Sequence, residues 1–268
     1  TSKKINYYKN YNDLINNEKL EAVFVTLPNY LAFEVTINCL KKNLHVFCEK
    51  PPAKSLTEIK KVKKIKDKKR NLVLKYGFNH RYHASIKMAK NIIDKKKFGK
   101  IINFRCVYGK STIKTFEVGD WRSKRKFSGG GILLDQGIHM LDLILYFSGK
   151  FTEFSSYISN NYWHYDVEDN AFVLMRNKKG QVASLHSTAT QWQHQFSMEI
   201  TLQKGFIDLK DVKFLLGKTP FQIKTGVGQP KQADYKKYGC LGKLYTDVWS
   251  CSGIDYSILA NGPGSYIE

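Results

Sequence analysis

The chain of 268 residues, 42% hydrophobic and 13% aromatic, can bury a sizeable apolar core, which excludes an intrinsically disordered protein. Its five cysteines show no CxxC spacing, and it has neither an apolar run of about 18 residues nor a signal peptide at its start, so a cytoplasmic protein with reduced thiols and no membrane partner is predicted. The net charge of +21 comes mostly from lysine, with six arginines among 44 basic residues; since nucleic-acid-binding proteins depend on arginine contacts, nucleic acid is not a predicted partner.

The first third of the chain alternates between strands and helices. Apolar runs over 20–26, 44–48 and 72–76 each end in a turn, which is typical of buried strands. Helices are predicted between them, over 29–41 and from an N-cap at Ser55. This alternating order predicts parallel βαβ units.

The pattern changes after residue 84. A helix over 85–97 and a half-buried strand over 101–108 are followed by three glycines and a second helix over 132–147. From about residue 151 onward, apolar runs flank short turns, which indicates an antiparallel meander. No structure is predicted for the tail over 239–268.

The tripeptide Glu49-Lys50-Pro51 follows a predicted parallel strand. Open α/β sheets bind their ligands at the carboxyl ends of such strands, so Lys50 could reach a substrate hydroxyl or a cofactor ribose. In a chain this rich in lysine, an ordinary surface lysine is the alternative interpretation.

A second candidate site follows Gly129–Gly131. Asp135 and His139 are four residues apart on a predicted apolar helix, with Asp142 three residues further on, so all three lie near one face. Histidine exchanges protons near neutral pH, and a buried polar pair needs partners or a purpose, which points to acid–base chemistry. A hydrogen-bonded core histidine is one alternative. A metal site at the same three residues is another, but the spacing matches no zinc pattern and no metal is predicted.

Several further motifs occur in a fixed order along the chain. They are Thr26-Leu27-Pro28-Asn29, Glu49-Lys50-Pro51, Gly77-Phe78-Asn79-His80-Arg81, Asp120-Trp121-Arg122, Gly129–Asp142, Val167-Glu168-Asp169-Asn170-Ala171 and Leu185-His186-Ser187. Together they resemble the glucose–fructose oxidoreductase and inositol dehydrogenase (Gfo/Idh/MocA) family over about residues 5–210.

The resemblance implies an α/β fold, with a partial Rossmann-type parallel sheet domain followed by an α+β domain with an open, mostly antiparallel sheet. Residues 1–98 would form the dinucleotide-binding domain, N-terminally incomplete, with the helix over 130–148 packing back on it. Residues 99–268 would bind the substrate and form a homodimer or homotetramer.

The implied activity is hydride transfer, with NAD or NADP, to or from a carbinol or carbonyl carbon of a sugar, cyclitol or sugar derivative. By motif position, His139 would exchange the hydroxyl proton, Lys50 would hydrogen-bond the same oxygen, and Asp135 would orient the substrate. The positions that match the cofactor side are Thr26, Pro28, Asn29, Glu49, Lys50, Asn79, Trp121 and Arg122.

The chain departs from the family pattern at its start. The glycine-rich GxGxxG turn is absent, and residues 4–8 correspond to the family's third strand, so Ile5–Tyr8 would have no neighbour and the strand ending at Thr26 would have a bare edge. Weak dinucleotide binding and low stability are expected. The protein either continues upstream or has lost the activity, and retention of Lys50, Asp135 and His139 favours the first. Ala32 replaces a histidine common in relatives, which weakens one cofactor contact.

Two rival functions remain. One is an NAD-dependent glycosidase of the same family, which would use much the same residues in a transient oxidation. The other is a non-catalytic binding or assembly protein derived from the family, whose open sheet serves as an interface.

Overall fold

The computed structural model describes residues 5–111, 121–210, 218–225 and 244–247. The predicted motif residue Asp120 and most of the tail after residue 239 lie outside these ranges.

Within the described ranges the chain forms two compact units. The first comprises the residues up to Gly77 together with Lys126–Gly129, and the second comprises Phe78–Arg125 and the chain from Gly130 to Asp247. Compactness thus places the helix Ala84–Asp94 in the second unit, although the sequence assigns it to the first domain. The division into functional domains stays a prediction.

The first unit contains a parallel sheet of three strands in the order β1-β2-β3, as predicted. These strands are β1 (Ala22–Val25), β2 (His45–Cys48) and β3 (Leu74–Tyr76). They are in register at their carboxyl ends, where Val25 faces Cys48 and Cys48 faces Tyr76. The residues that follow the strands therefore lie at one edge of the sheet.

Three helices accompany this sheet, namely α1 (Tyr11–Asn17), α2 (Asn29–Lys41) and α3 (Leu56–Lys68). The last two match the prediction, whereas the short α1 was not predicted. Ser55 caps α3 as expected, since its hydroxyl accepts from the backbone N–H of Glu58 at 3.3 Å. The Glu58 carboxylate accepts from the N–H of Lys54 rather than from that of Ser55, so the capping box is displaced by one residue.

The start of the first unit is exposed. Ile5–Tyr8 forms no strand, and the side chains of Ile5 and Tyr7 are 91% and 86% exposed. Among the described strands β1 pairs only with β2, and Phe24 on β1 is 57% exposed. The expected bare edge of β1 is thus present in the described part of the chain.

The second unit is built on an eight-stranded sheet in the order β11-β10-β9-β8-β4-β7-β6-β5. Its strands are β4 (Ile101–Gly109), β5 (Glu153–Ser159), β6 (Asn170–Arg176), β7 (Val182–Thr188), β8 (Gln195–Leu202), β9 (Gly205–Lys210), β10 (Lys218–Thr225) and β11 (Leu244–Asp247). Only the β4–β7 pair is parallel, so the predicted mostly antiparallel sheet is confirmed.

Helices cover one face of this sheet. These are α4 (Ala84–Asp94) and α6 (Ile138–Ser148), whereas most of the short helix α5 (Arg125–Ser128) belongs to the first unit. Alternate residues of β8, from Phe196 to Leu202, are buried in a core shared with α4 and α6. On the opposite face Phe172 and Leu174 remain about half exposed. No helix in the described part of the chain is long and apolar enough to cross a membrane.

Candidate active site

The glycine segment before α6 is held by Glu168. The Glu168 carboxylate accepts from the backbone N–H of Gly131 at 2.8 Å and of Leu133 at 3.3 Å, and its carbonyl accepts from Ile132 at 3.1 Å. A side chain at position 131 would place its Cβ 2.0 Å from the Glu168 carbonyl oxygen, so glycine is required there. One buried residue thus satisfies three N–H groups that a helix start leaves open.

Asp135 lies in a single π-helical turn, Leu133–Gly137, that precedes α6. An ordinary α-helix was predicted there; π turns of this kind are frequent at functional sites. The carboxylate binds two cations, Lys110 Nζ at 2.7 Å from Oδ2 and Arg122 Nε at 3.7 Å from Oδ1. All three side chains are largely buried, which strengthens the interaction.

His139 lies at the start of α6 and is only 6% exposed. Its ring stacks on that of His80, with centroids 4.0 Å apart and planes inclined by 27°. Phe78 meets it edge-on at 6.1 Å. The imidazole is therefore confined between fixed rings.

Asp142 forms a separate ion pair with Arg81. Its carboxylate accepts from Arg81 Nε at 2.7 Å and from the terminal nitrogen Nη2 at 2.5 Å. Burial lowers the pKa of the Arg81 guanidinium, but the hydrogen bonds and charge of Asp142, together with smaller contributions from Tyr146 and Tyr82, raise it above its usual value. Asp142 therefore does not join Asp135 and His139. Within the described ranges, no group of three His, Cys, Asp or Glu side chains could hold a metal ion.

The predicted cofactor residues of the first unit lie at the carboxyl ends of β1 and β2. Thr26 is exposed, Pro28 is half-buried, and Asn29 is buried with its amide donating to the carbonyl of Ser128 at 2.8 Å. After β2, the Glu49 carboxylate accepts from the N–H of Lys50 at 3.2 Å.

Gly77 ends β3 at the same sheet edge. A Cβ on Gly77 would lie 2.6 Å from a carboxylate oxygen of Glu49, so a side chain at position 77 would displace that carboxylate. Lys50 itself is half-buried, and the Lys50–Pro51 peptide is cis.

In the second unit the structure joins the predicted residues through others that the sequence did not indicate. Asn79 contacts His80, which stacks on His139, and Arg122 contacts Asp135 while its guanidinium lies 4.4 Å above the ring of Trp121. The residues that sequence reasoning missed are Lys110, His80, Tyr108 and Glu168. Of these, only His80 and Glu168 lie in motifs that the sequence singled out.

The arrangement is suited to proton exchange beside a polarised group. A buried histidine can take up or release a proton near neutral pH. A carboxylate held by two cations can accept a hydrogen bond from a bound hydroxyl without moving.

The sequence matches two domain families. The model described as "Oxidoreductase family, NAD-binding Rossmann fold" matches residues 1–78, and the "GFO/IDH/MocA C-terminal domain" matches residues 86–208. The chain belongs to the GFO/IDH/MocA family. The predicted family and fold class are thereby confirmed.

Curated relatives in this family are dehydrogenases. Levoglucosan dehydrogenase of Pseudarthrobacter phenanthrenivorans is 25% identical over 210 residues, which cover 68% of this chain and 53% of that protein. Glucose-6-phosphate 3-dehydrogenase of Bacillus subtilis is 30% identical over 142 residues, covering 52% of this chain and 39% of that protein. The chain thus spans about half the length of these GFO/IDH/MocA relatives.

Solved structures share the fold. A levoglucosan dehydrogenase in complex with NADH and levoglucosan superposes with a TM-score of 0.76 at 23% identity, covering 90% of this chain and 64% of that chain. An inositol dehydrogenase homologue complexed with NAD⁺, from Azotobacter vinelandii, gives a TM-score of 0.73 at 23% identity, covering 83% of this chain and 60% of that chain. At this identity the likeness shows the GFO/IDH/MocA fold.

Proposed function

We propose that the protein is an NAD(P)-dependent oxidoreductase that moves a hydride to or from a carbinol or carbonyl carbon of a sugar, cyclitol or sugar derivative. The observation that carries the proposal is the buried His139, about one helical turn from an Asp135 held by two cations, in a GFO/IDH/MocA chain. Relatives named as dehydrogenases of levoglucosan and of myo-inositol support the substrate class.

His139 exchanges the proton of the substrate hydroxyl. In oxidation the O–H proton passes to a ring nitrogen of His139 while the hydride leaves the carbon, and in reduction both return. The ring needs to be neutral for the first direction, and its neighbours Phe78 and His80 shield it from water.

Asp135 orients the substrate, and Lys110 and Arg122 hold its carboxylate in place. Each cation contacts a different oxygen of Asp135, so the plane of the carboxylate is fixed. The carboxylate can therefore accept hydrogen bonds from a sugar hydroxyl with little further loss of side-chain entropy.

The first unit offers part of a dinucleotide site. Its three parallel strands end at one edge of the sheet, and the Glu49 carboxylate lies against Gly77 at that edge. Ligands of open α/β sheets bind at this edge, so the arrangement supports a dinucleotide site there. Thr26, Pro28, Asn29, Glu49 and Lys50 would hold it there, with Lys50 donating to a hydroxyl oxygen. When bound, the nicotinamide supplies or accepts the hydride.

Further cofactor contacts are proposed in the second unit for Asn79, Trp121 and Arg122. The proposed domains are a dinucleotide-binding domain over 1–98, with the helix over 130–148 packing on it, and a substrate domain over 99–268. Within the 268 residues no GxGxxG turn is present to bind the pyrophosphate, so binding by this chain is expected to be weak.

The proposed partner is a second copy of the chain, in a homodimer or homotetramer. Within the described ranges no helix covers one face of the eight-stranded sheet, and this supports the proposal because that face exposes Phe172 and Tyr157 beside a cavity of about 510 Å³. A cytoplasmic location is proposed because the buried cysteines Cys39, Cys48 and Cys106 are free thiols, as in a reducing compartment.

The function is tested by incubating the protein with NAD⁺ or NADP⁺ and a panel of sugars and cyclitols, following reduced nicotinamide. Substrate-dependent reduction by one of the two cofactors, lost in His139→Ala, is the expected result. Release of free sugar from a glycoside with no accumulation of reduced cofactor would indicate the NAD-dependent glycosidase instead. Activity that is equal in wild type and His139→Ala would contradict the assigned mechanism.

A further inference from the structure

Two histidine rings lie face to face in the second unit. His80 is fully buried, and its imidazole covers that of His139 with 4.0 Å between centroids. Proton exchange with a substrate needs a single histidine, so the His80 ring has a role other than receiving the substrate proton.

Both ring nitrogens of His80 have hydrogen-bond partners that fix its tautomer. Nδ1 lies 3.1 Å from Asn79 Oδ1, an atom that only accepts, so Nδ1 carries the proton. Nε2 lies 3.2 Å from the hydroxyl of Tyr108 and accepts a hydrogen bond from it when the ring is neutral. Burial raises the pKa of Tyr108, and Asp135 raises it further, so the hydroxyl keeps the proton it donates.

A second proton on His80 would oppose charge on His139. Two cationic rings at this separation in a buried setting repel each other, so the pair holds one extra proton at most. His83, whose ring lies 5.6 Å from that of His80, adds no charge near neutral pH because burial lowers its pKa to about 4.

The charged groups around the stack are paired with one another. Arg81 pairs with Asp142, and Asp135 pairs with both Lys110 and Arg122, which leaves one excess positive charge. Another titratable ring in the described part of the chain is His194, which meets Tyr108 edge-on at 5.7 Å. The excess positive charge disfavours a second proton on the stack.

We propose that His80 is a positioning residue for His139: held neutral by Asn79 and Tyr108, it fixes the plane of the His139 ring and confines proton uptake in the stack to His139. The proposal rests on the proposed function, in which His139 receives the hydroxyl proton. In that step the substrate O–H bond breaks and its proton bonds to a ring nitrogen of His139. His80 keeps the proton on Nδ1 and takes up no second proton.

The test is a pH titration of the seven histidines in ¹⁵N-histidine-labelled protein by NMR, compared with Asn79→Asp. In the wild type, His139 is expected to titrate between about pH 5 and pH 8, while His80 stays an Nδ1–H imidazole throughout. In Asn79→Asp a carboxylate replaces the neutral acceptor, so His80 should take a proton in this window, and the proton affinity of His139 should fall by about tenfold or more.

The matched control is Asn170→Asp. Asn170 Oδ1 lies 3.0 Å from Nε2 of His186, whose ring stacks on Phe172 at 3.9 Å rather than on a histidine. This substitution should raise the proton affinity of His186 and leave His80 and His139 unaltered.

Two results would overturn the proposal. One is a wild-type His80 that titrates in this window or carries its proton on Nε2. The other is an Asn79→Asp protein in which His80 gains a proton while the proton affinity of His139 stays unchanged. Tyr108→Phe, which removes the donor to Nε2, gives an independent second variant with the same expected shift.

The titration needs no turnover, so it separates this proposal from the proposed function. If the stack titrates as described but no sugar is oxidised, only the assigned activity fails. If activity is found but His80 and His139 titrate independently, only the positioning role fails.

Discussion

Lys110 and Asp135 form an ion pair of 2.7 Å between Nζ and Oδ2, with both side chains more than four-fifths buried. Lys110 directly follows β4, while Asp135 lies in the π turn before α6, so the pair ties the site to the sheet.

Lys110→Met is expected to lower the free energy of unfolding by about 3 kcal/mol, since a buried carboxylate loses its nearer cation. Chemical denaturation measures the change. The control is Lys63→Met, which breaks an exposed ion pair with Asp67 and should cost at most about 1 kcal/mol. Equal effects of the two substitutions would show that the Lys110–Asp135 pair is solvated.

His139→Gln should reduce kcat by about 10² or more in a protein with catalytic activity, because acid–base exchange is lost. The fold should persist, since glutamine keeps a polar side chain of similar reach. His164→Gln, at an exposed loop position, serves as the control and should leave kcat unchanged. A His139→Gln protein with near-normal kcat would remove His139 from the mechanism.

Glu168→Ala should destabilise the protein by about 2 kcal/mol, because the N–H groups of Gly131 and Leu133 lose a charged acceptor. The comparison is Glu153→Ala, at an exposed carboxylate paired with Arg176, for which a change below about 1 kcal/mol is expected. Thermal or denaturant unfolding of both variants provides the measurement. A stability of Glu168→Ala equal to the wild type would mean that water replaces the carboxylate.

Much of the framework could be predicted from local sequence. The helix over 29–41 and the Ser55 cap depend on neighbours within a few residues, and both occur as predicted. The π turn was missed because it differs from an α-helix by one inserted residue, which leaves the apolar spacing almost intact.

The site contacts were missed for a different reason. Arg81 and Asp142 are 61 residues apart in sequence, and Lys110 and Asp135 are 25 apart. Spacing identified Asp142 as a companion of His139, yet a basic partner from the Asn79–Tyr82 turn binds it instead. Such pairings arise only when the sheet brings distant segments together.

Acid sensitivity should depend on His83. Burial lowers its pKa from 6.5 to about 4. Between these two pH values the unfolded chain is protonated at His83 and the folded chain is not. The contribution of His83 to the free energy of unfolding is fully present above pH 6.5 and falls by about 3 kcal/mol as the pH drops toward 4.

The measurement for this prediction is the difference in unfolding free energy between wild type and His83→Gln at pH 7 and at pH 4.5. The difference should shift in favour of the variant on acidification. His164→Gln, exposed to solvent, should follow the wild type at both pH values. A difference that stays constant with pH would show that the pKa of His83 is the same in the folded and unfolded chains, which contradicts the prediction.

The most direct test of the account is a titration of the protein with NADH and with NADPH, following energy transfer from tryptophan to the nicotinamide. Saturable but weak binding of one of them, with a dissociation constant below about 1 mM and with transfer reduced in Trp121→Phe and retained in Trp192→Phe, is the predicted result. Trp192 is 93% exposed and lies outside the proposed cofactor contacts. No binding of either dinucleotide up to about 1 mM would contradict a nicotinamide-dependent function for this chain.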